Sequence, residues 1–348
     1  MRDNLLIQNL FDNALVNPLL RNTNIDTLRI VSGYASAAMG FHHLDFLRNL
    51  GRTLRVNLIY GMCRDEGVSK SNHAGFVSLV KKSFPGQFTC NYLCRGEAVH
   101  AKIYVFCEGI KPICAFAGSA NYSQMAFLNS QRREVLAECS PARAYDFFKS
   151  LKDDTISCTD SSVHTSVAIT TGGCARVVMP EDDSRRESQF IEIESDKGSP
   201  FYGLQKVTLS LLDRSGKVPN RSGLNWGQRP EYRRNPDQAY LPVRGNLMTC
   251  GFFPDRKQHF TVLTDDNKII ECVRAQDGGK AIHTPHDNAE IGRYIRERIG
   301  IPSGQVVTAA DLARYGRSSI DFFKIDDENY VMDFHPQNKA CDRRKSHV

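Results

Sequence analysis

Over its first 155 residues the chain alternates short apolar runs with longer segments of helical period, and this alternation constrains the fold more than any other feature. The runs at 27–33 (TLRIVSG), 54–60 (LRVNLIY), 88–93, 99–106, 112–117 and 134–138 read as strands. Segments at 5–20, 42–50, 72–82 and 142–151 read as helices. Strands interleaved with helices predict an α/β domain built on a mixed, largely covered sheet.

Beyond residue 200 the pattern changes. Short strand candidates dominate, at 206–211, 258–263, 269–274, 319–325 and 330–334, with turn signals at Asp265-Asp266-Asn267 and Asp277-Gly278-Gly279. Two short helices interrupt them. One runs from Asp287 to Gly300; the other is opened by Thr308, with Asp311 three residues on, and closed by Gly316. A β-rich α+β module follows, most simply a small barrel. Between the two patterns, residues 180–196 carry seven acids against two arginines, the composition of an interdomain linker. The expected organisation is one domain over 1–175, an acidic linker over 176–200 and a second domain over 201–348, in keeping with the length. No internal repeat or low-complexity tract is present.

No apolar run approaches the roughly 20 residues of a membrane span. The N-terminal MRDNLLIQNLFDN reads as a polar–apolar helix rather than a signal peptide. Eleven cysteines lie without pairing rhythm, several inside apolar runs, which points to buried thiols in a reducing cytoplasm. Cys90 and Cys94 have ligand-like spacing, but no second pair completes a zinc pattern. A net charge of +6 and a pI near 8.7 permit a polyanionic partner without requiring one. Distribution says more: residues 206–257 hold ten Lys/Arg against four Asp/Glu.

Chemistry concentrates in Val99-His100-Ala101-Lys102 and, after the next apolar run, Gly118-Ser119-Ala120-Asn121. On a strand, alternate residues share a face, so His100 and Lys102 project together. The Gly-Ser-Ala-Asn turn enters a helical stretch, where amides and small polar side chains can cradle a phosphate. A lone strand histidine is ordinarily a packed residue, and Gly-Ser-x-Asn alone is a common turn or cap. Their order on consecutive strands makes a phosphoryl-transfer site the better reading.

At these residues the chain resembles the phospholipase D superfamily, whose motif is His-x-Lys followed by Gly-Ser-x-Asn. The resemblance implies His100 as nucleophile, Lys102 and Asn121 as binders of phosphate oxygens, and Ser119 as a supporting hydroxyl. It also implies an acid on the following strand that orients the histidine, here Glu134. Many members carry Asp five residues after the lysine; Cys107 stands there in this chain. Such an imidazole attacks phosphorus to form a phosphohistidine while Lys102 and Asn121 take up the developing charge, so no metal or other cofactor is expected. A second histidine must protonate the leaving oxygen. Only His100, of ten histidines, stands in a His-x-Lys frame, so the resemblance implies a homodimer in which two copies of His100 share one site. His42 and His43 are better explained by an amphipathic helix, and His283 and His286 by a loop.

The domain order resembles restriction endonucleases of the BfiI and NgoFVII type, whose C-terminal domain is similar to the pseudobarrel of plant B-three transcription factors and grips the major groove with two arms. Arg, Asn and Gln read base edges, and Arg or Lys neutralise phosphates. Candidate readers are therefore Trp226, Gln228, Arg229, Arg233, Arg234 and Arg244 on one arm, with Gln276 and Lys280 in 274–280 on the other. Arg343-Arg344-Lys345 reads as a frayed tail. The combined expectation is a site-specific, metal-independent endonuclease acting on double-stranded DNA in the cytoplasm. Some relatives work beside a helicase-like ATPase and a cognate methyltransferase, which makes both candidate partners. The rival readings are a lipid phosphodiesterase or phosphatidyltransferase, disfavoured by the lack of an amphipathic anchor, and a DNA-binding module whose catalytic half has decayed, supported only by Cys107.

Overall fold

The apolar runs of the first half do pair, into one eight-stranded mixed sheet. The computed structural model describes residues 5–129, 133–170 and 191–337 and divides into two units, residues 1–177 and 178–348. Arg132, the acidic segment at 176–190 and the basic tail at 343–345 lie outside the described residues.

The first unit contains β1 (Leu5–Leu6), β2 (Thr27–Ser32), β3 (Arg55–Tyr60), β4 (Val68–Ser69), β5 (Phe88–Leu93), β6 (Lys102–Glu108), β7 (Lys111–Gly118), β8 (Leu136–Glu138), β9 (Thr155–Ser157) and β10 (Ile169–Thr170). The main sheet runs β1-β8-β7-β6-β2-β3-β5-β9, while β4 and β10 pair separately. Its central strands β2, β3 and β5 are parallel, and its other ladders are antiparallel. The helices are α1 (Asn17–Arg21), α2 (Ala37–Asn49), α3 (Cys63–Glu66), α4 (Lys70–Ser78), α5 (Gln124–Phe127), α6 (Pro141–Ser150) and α7 (Val163–Ser166). Ser36 and Ser140 cap α2 and α6, each hydroxyl accepting from the backbone N–H three residues on. Pleat alternation divides the core. Leu28 and Ile30 of β2 enter the large cluster with Phe41 of α2 and Phe76 of α4, whereas Val31 packs with Ile59 and with Phe148 of α6 on the opposite face.

Two expectations need correction. Residues 5–20 are not one helix: Leu5 and Leu6 pair with Leu136 and Ala137 at the sheet edge. Asn9 then takes a left-handed φ of 48°, which no helix tolerates, and a π-helical turn over Phe11–Val16 leads into α1. The strands expected at 99 and 134 begin only at Lys102 and Leu136. Val99 N–H donates to Gly61 O at 3.2 Å and Gly33 N–H to Ala101 O at 3.0 Å, so 99–101 bends across the ends of β2 and β3.

The second unit contains β11 (Glu192–Ile193), β12 (Gln205–Ser210), β13 (Leu241–Pro242), β14 (His259–Thr264), β15 (Ile269–Ala275), β16 (Ala281–His283), β17 (Ser319–Lys324) and β18 (Asn329–Asp333), with helices α8 (Glu290–Ile299) and α9 (Ala309–Tyr315). Its sheet runs β11-β12-β17-β18-β14-β15-β16-β13, antiparallel except between β14 and β18. A β-rich α+β unit was expected, and this is one. Phe252, Phe253, Phe260, Phe322 and Tyr330 interlock at its centre. The Thr308–Asp311 capping box opens α9 and Gly316, at φ 91°, closes it. Among the described residues no helix is long and apolar enough to cross a membrane. The described cysteines are free thiols, with Cys63, Cys90, Cys107, Cys158 and Cys272 buried.

Candidate active site

Three chain segments converge beyond β2, ahead of β6 and after β7. Ser32 fastens them: its hydroxyl donates to Tyr34 O and accepts from Tyr122 N–H at 2.9 Å. Close backbone approach demands glycine on either side. A Cβ on Gly61 would lie 2.0 Å from Val99 O, one on Gly33 would lie 3.0 Å from His100 Cδ2, and one on Gly118 would lie 2.1 Å from Val135 O.

These contacts deliver His100 and Lys102 to one place, although His100 precedes the strand. His100 is exposed and Lys102 is buried beneath it. Lys102 Nζ sits 3.0 Å from both imidazole nitrogens and donates to His100 O at 2.7 Å. Burial pushes the Lys102 ammonium down from the ordinary lysine value, and the Glu134 carboxylate works against that shift.

Asn121 Oδ1 accepts from Tyr34 N–H at 3.1 Å, which fixes the amide and turns its Nδ2 donors elsewhere. The Ser119 hydroxyl donates to Glu134 and accepts from Val135 N–H at 3.0 Å, so its proton is committed to the carboxylate. Among the described residues Glu134 is thus hydrogen-bonded to Ser119 rather than to His100. The structure adds a residue that sequence patterning missed. The Tyr34 ring meets the His100 ring edge-on, with centroids 5.7 Å apart and planes at 79°, and its hydroxyl donates to Glu66 at 2.6 Å. No local motif marks Tyr34; it follows a strand end whose neighbours are set by tertiary contacts.

Other histidines of the unit have packing roles. His43 is fully buried, with Nδ1 3.0 Å from the Tyr122 hydroxyl, and burial lowers its pKa to about 4. His42 packs against Phe11, with ring centroids 5.1 Å apart. Cys107 pairs with Thr27, at the end of β6 remote from Lys102, and packs with Val105, Ala115 and Ala144. The absent aspartate therefore lies away from the His100 site.

In the second unit the expected readers separate into exposed tips and internal braces. Arg233, Arg244 and Lys280 are exposed, and Arg244 Nη1 also donates to Leu212 O at 2.6 Å. The Arg234 guanidinium stacks over Trp226 at 4.1 Å, and Trp226 meets Tyr240 edge-on. Gln228 is a brace, donating to Pro236 O at 3.0 Å and Gly304 O at 2.9 Å, and Arg229 Nε donates to Arg221 O at 2.9 Å. Arg274, at the start of the second candidate arm, is buried and bonded to Met248 O, Pro254 O and Gly279 O. Gln276 is half-buried at φ 62°. Val243 N–H donates to Lys280 O at 2.9 Å, so the β13–β16 ladder brings Arg244 and Lys280 onto neighbouring strand ends.

His286 lies in a loop, its Nε2 3.5 Å from Glu271 Oε2, and His259 bonds the other oxygen. Burial alone would raise the Glu271 carboxyl, but the hydrogen bonds from His259 and His286 prevail and hold it below the usual glutamate value. His283 pairs with Asn288. Among the described residues no group of three or more His, Cys, Asp or Glu is arranged to hold a metal ion.

Residues 8–165 match the NgoFVII restriction endonuclease N-terminal PLD domain, and residues 200–326 match the NgoFVII C-terminal B3-like DNA-binding domain. Together these matches span most of the chain, and it belongs to the NgoFVII family of restriction endonucleases: a phosphodiesterase domain of phospholipase D type joined to a DNA-binding domain. Nothing among curated proteins matches. Among solved structures, NucT from Helicobacter pylori aligns over 44% of this chain and 96% of its own, at 16% identity and a TM-score of 0.30. Polyphosphate kinase from Porphyromonas gingivalis aligns over 43% of this chain and 22% of its own, at 14% identity and a TM-score of 0.29.

Proposed function

We propose that this nuclease cuts double-stranded DNA at specific sites, without a divalent metal, through a phosphohistidine on His100. The observation that carries the proposal is the placement of the buried Lys102 ammonium 3.0 Å from the exposed imidazole. An imidazole nitrogen attacks phosphorus, and the P–O bond to the leaving oxygen breaks. Lys102 and the Nδ2 donors of Asn121 bind the non-bridging oxygens, whose charge grows in the transition state; a fixed cation there does the electrostatic work often given to metals. Glu134 and Ser119, locked to each other, hold the 118–121 turn against the segment that enters β8. The leaving oxygen needs a proton, and a second His100 from a homodimeric partner supplies it. Water, activated by the same imidazole, then releases the phosphohistidine.

The second unit selects the site, with Arg233, Arg234, Arg244 and Lys280 on the DNA-facing surface. Trp226, Gln228 and Arg229 shape the arm that carries them, and Gln276 shapes the second. The same reading places the enzyme in the cytoplasm, beside a cognate methyltransferase and a helicase-like ATPase. The test is to mix enzyme with end-labelled duplex in EDTA, quench rapidly in denaturant and look for labelled protein. An acid-labile adduct formed by wild type and absent from His100→Ala is expected. Cleavage with no adduct at any time, or cleavage that depends on added magnesium, would contradict the mechanism.

A further inference from the structure

Nothing in the His-x-Lys or Gly-Ser-x-Asn pattern points to Tyr34, yet it touches both halves of the site. Its ring stands edge-on to His100 at 5.7 Å, close enough to restrict rotation of an otherwise exposed imidazole. Its main-chain N–H takes Asn121 Oδ1 at 3.1 Å, which decides the face the Asn121 amide presents. The phenol is tethered in turn to Glu66 at the end of α3, at 2.6 Å, and the ring meets Tyr60 edge-on at 6.5 Å. Ser32 holds the Tyr34 carbonyl. A half-buried tyrosine fixed at its hydroxyl, its ring and its backbone is a rigid wall rather than a surface side chain.

The geometry points to Tyr34 as a positioning residue that sets the nucleophile and the phosphate-binding amide in register, with Glu66 as the anchor of its ring. The inference rests on the reading of His100 as nucleophile. Tyr34 itself makes and breaks no bond to phosphorus. Its contribution is orientation, which is valuable because displacement of a reacting group by about 1 Å can slow a step by about 10²-fold. Substitution of the side chain leaves the main-chain bond to Asn121 in place, so side-chain variants isolate the ring.

The experiment is single-turnover cleavage of supercoiled plasmid by full-length protein in excess, with DNA affinity measured in parallel. Tyr34→Leu should lower the cleavage rate by about 10- to 100-fold with affinity unchanged. Tyr34→Phe keeps the ring and should recover most of that loss. Tyr34→Phe and Glu66→Ala each remove the same hydrogen bond, so each should slow cleavage by about two- to tenfold and the double variant by no more than either alone. Wild-type rate in Tyr34→Leu, or additive losses in the double variant, would overturn the inference while leaving the His100 mechanism standing. If Tyr34→Leu does not fold, the double-variant comparison decides by itself. If His100→Ala cuts like wild type, the inference and the mechanism fall together.

Discussion

Removal of the Asp237 carboxylate should destabilise the second unit severely. Asp237 lies within the candidate arm in sequence and is buried, as is its partner Arg296. Arg296 Nε lies 3.3 Å from Asp237 Oδ1. The same guanidinium donates to Gln305 O at 2.8 Å, Leu224 O at 3.1 Å and Gly292 O at 3.2 Å, which ties the arm's base to α8. The carboxylate also accepts from Gly304 N–H at 2.7 Å and from the Ser303 hydroxyl. Burial pushes the Arg296 guanidinium down from its ordinary value, and only the Asp237 charge works against this. Asp237→Ala therefore leaves a buried cation without its counter-ion, a loss that costs about 3–5 kcal/mol. At about 2–4 °C per kcal/mol for a unit of this size, the melting temperature should fall by roughly 6–20 °C. Trp226 is the chain's single tryptophan and sits on the affected segment, so its fluorescence during thermal or urea unfolding reports on this unit alone. A loss below about 1 kcal/mol would mean that water reaches the pair and that the arm is not anchored through α8.

Gly61→Ala would place a Cβ 2.0 Å from Val99 O and force the His100 segment to move. Cleavage should drop at least about 10²-fold while the Trp226 unfolding transition is unchanged; wild-type cleavage would disprove the close approach. Because the Glu271 carboxyl is held below its ordinary value, its contribution to stability is complete above about 4.5 and is lost as pH falls through the lower folded value. The Trp226-monitored urea midpoint should therefore fall as the pH drops below about 4.5, and Glu271→Gln should flatten that dependence; an unchanged slope would remove Glu271 as its source. Arg233→Ala, Arg244→Ala and Lys280→Ala should each either lower the salt slope of DNA binding by about one or relax preference at one base position by about 1–3 kcal/mol. If all three leave both quantities unchanged in a randomised duplex pool, the β13–β16 end is not the DNA-facing surface.

Much of this molecule was legible in its residue order. The runs at 27–33, 54–60 and 88–93 became β2, β3 and β5 because β-branched and apolar residues buried on both faces leave few alternatives. His100 and Lys102 were recognisable as a pair, but for an incomplete reason. They meet because Val99 and Ala101 bond to Gly61 and Gly33 on other strands, not because both sit on β6. Tyr34 stayed hidden for the same cause, since contacts between residues far apart in sequence leave no local pattern. In the arms, residue type does not reveal local bonding: Gln228 Nε2 and Arg229 Nε donate to backbone carbonyls, which no sequence pattern marks. The segment at 5–20 misled because its helical period is broken at Asn9 by backbone conformation rather than by a proline or glycine.

The central claim is that His100 and Lys102 cut DNA without a metal ion. Its most direct test is cleavage of supercoiled plasmid in excess EDTA by wild type and by His100→Ala. Wild type should cut in the chelator as it does with magnesium, and His100→Ala should be slower by at least about 10⁴-fold while still binding DNA. Wild-type activity that vanishes on chelation and returns with magnesium, or His100→Ala cleavage within tenfold of wild type, would contradict the account.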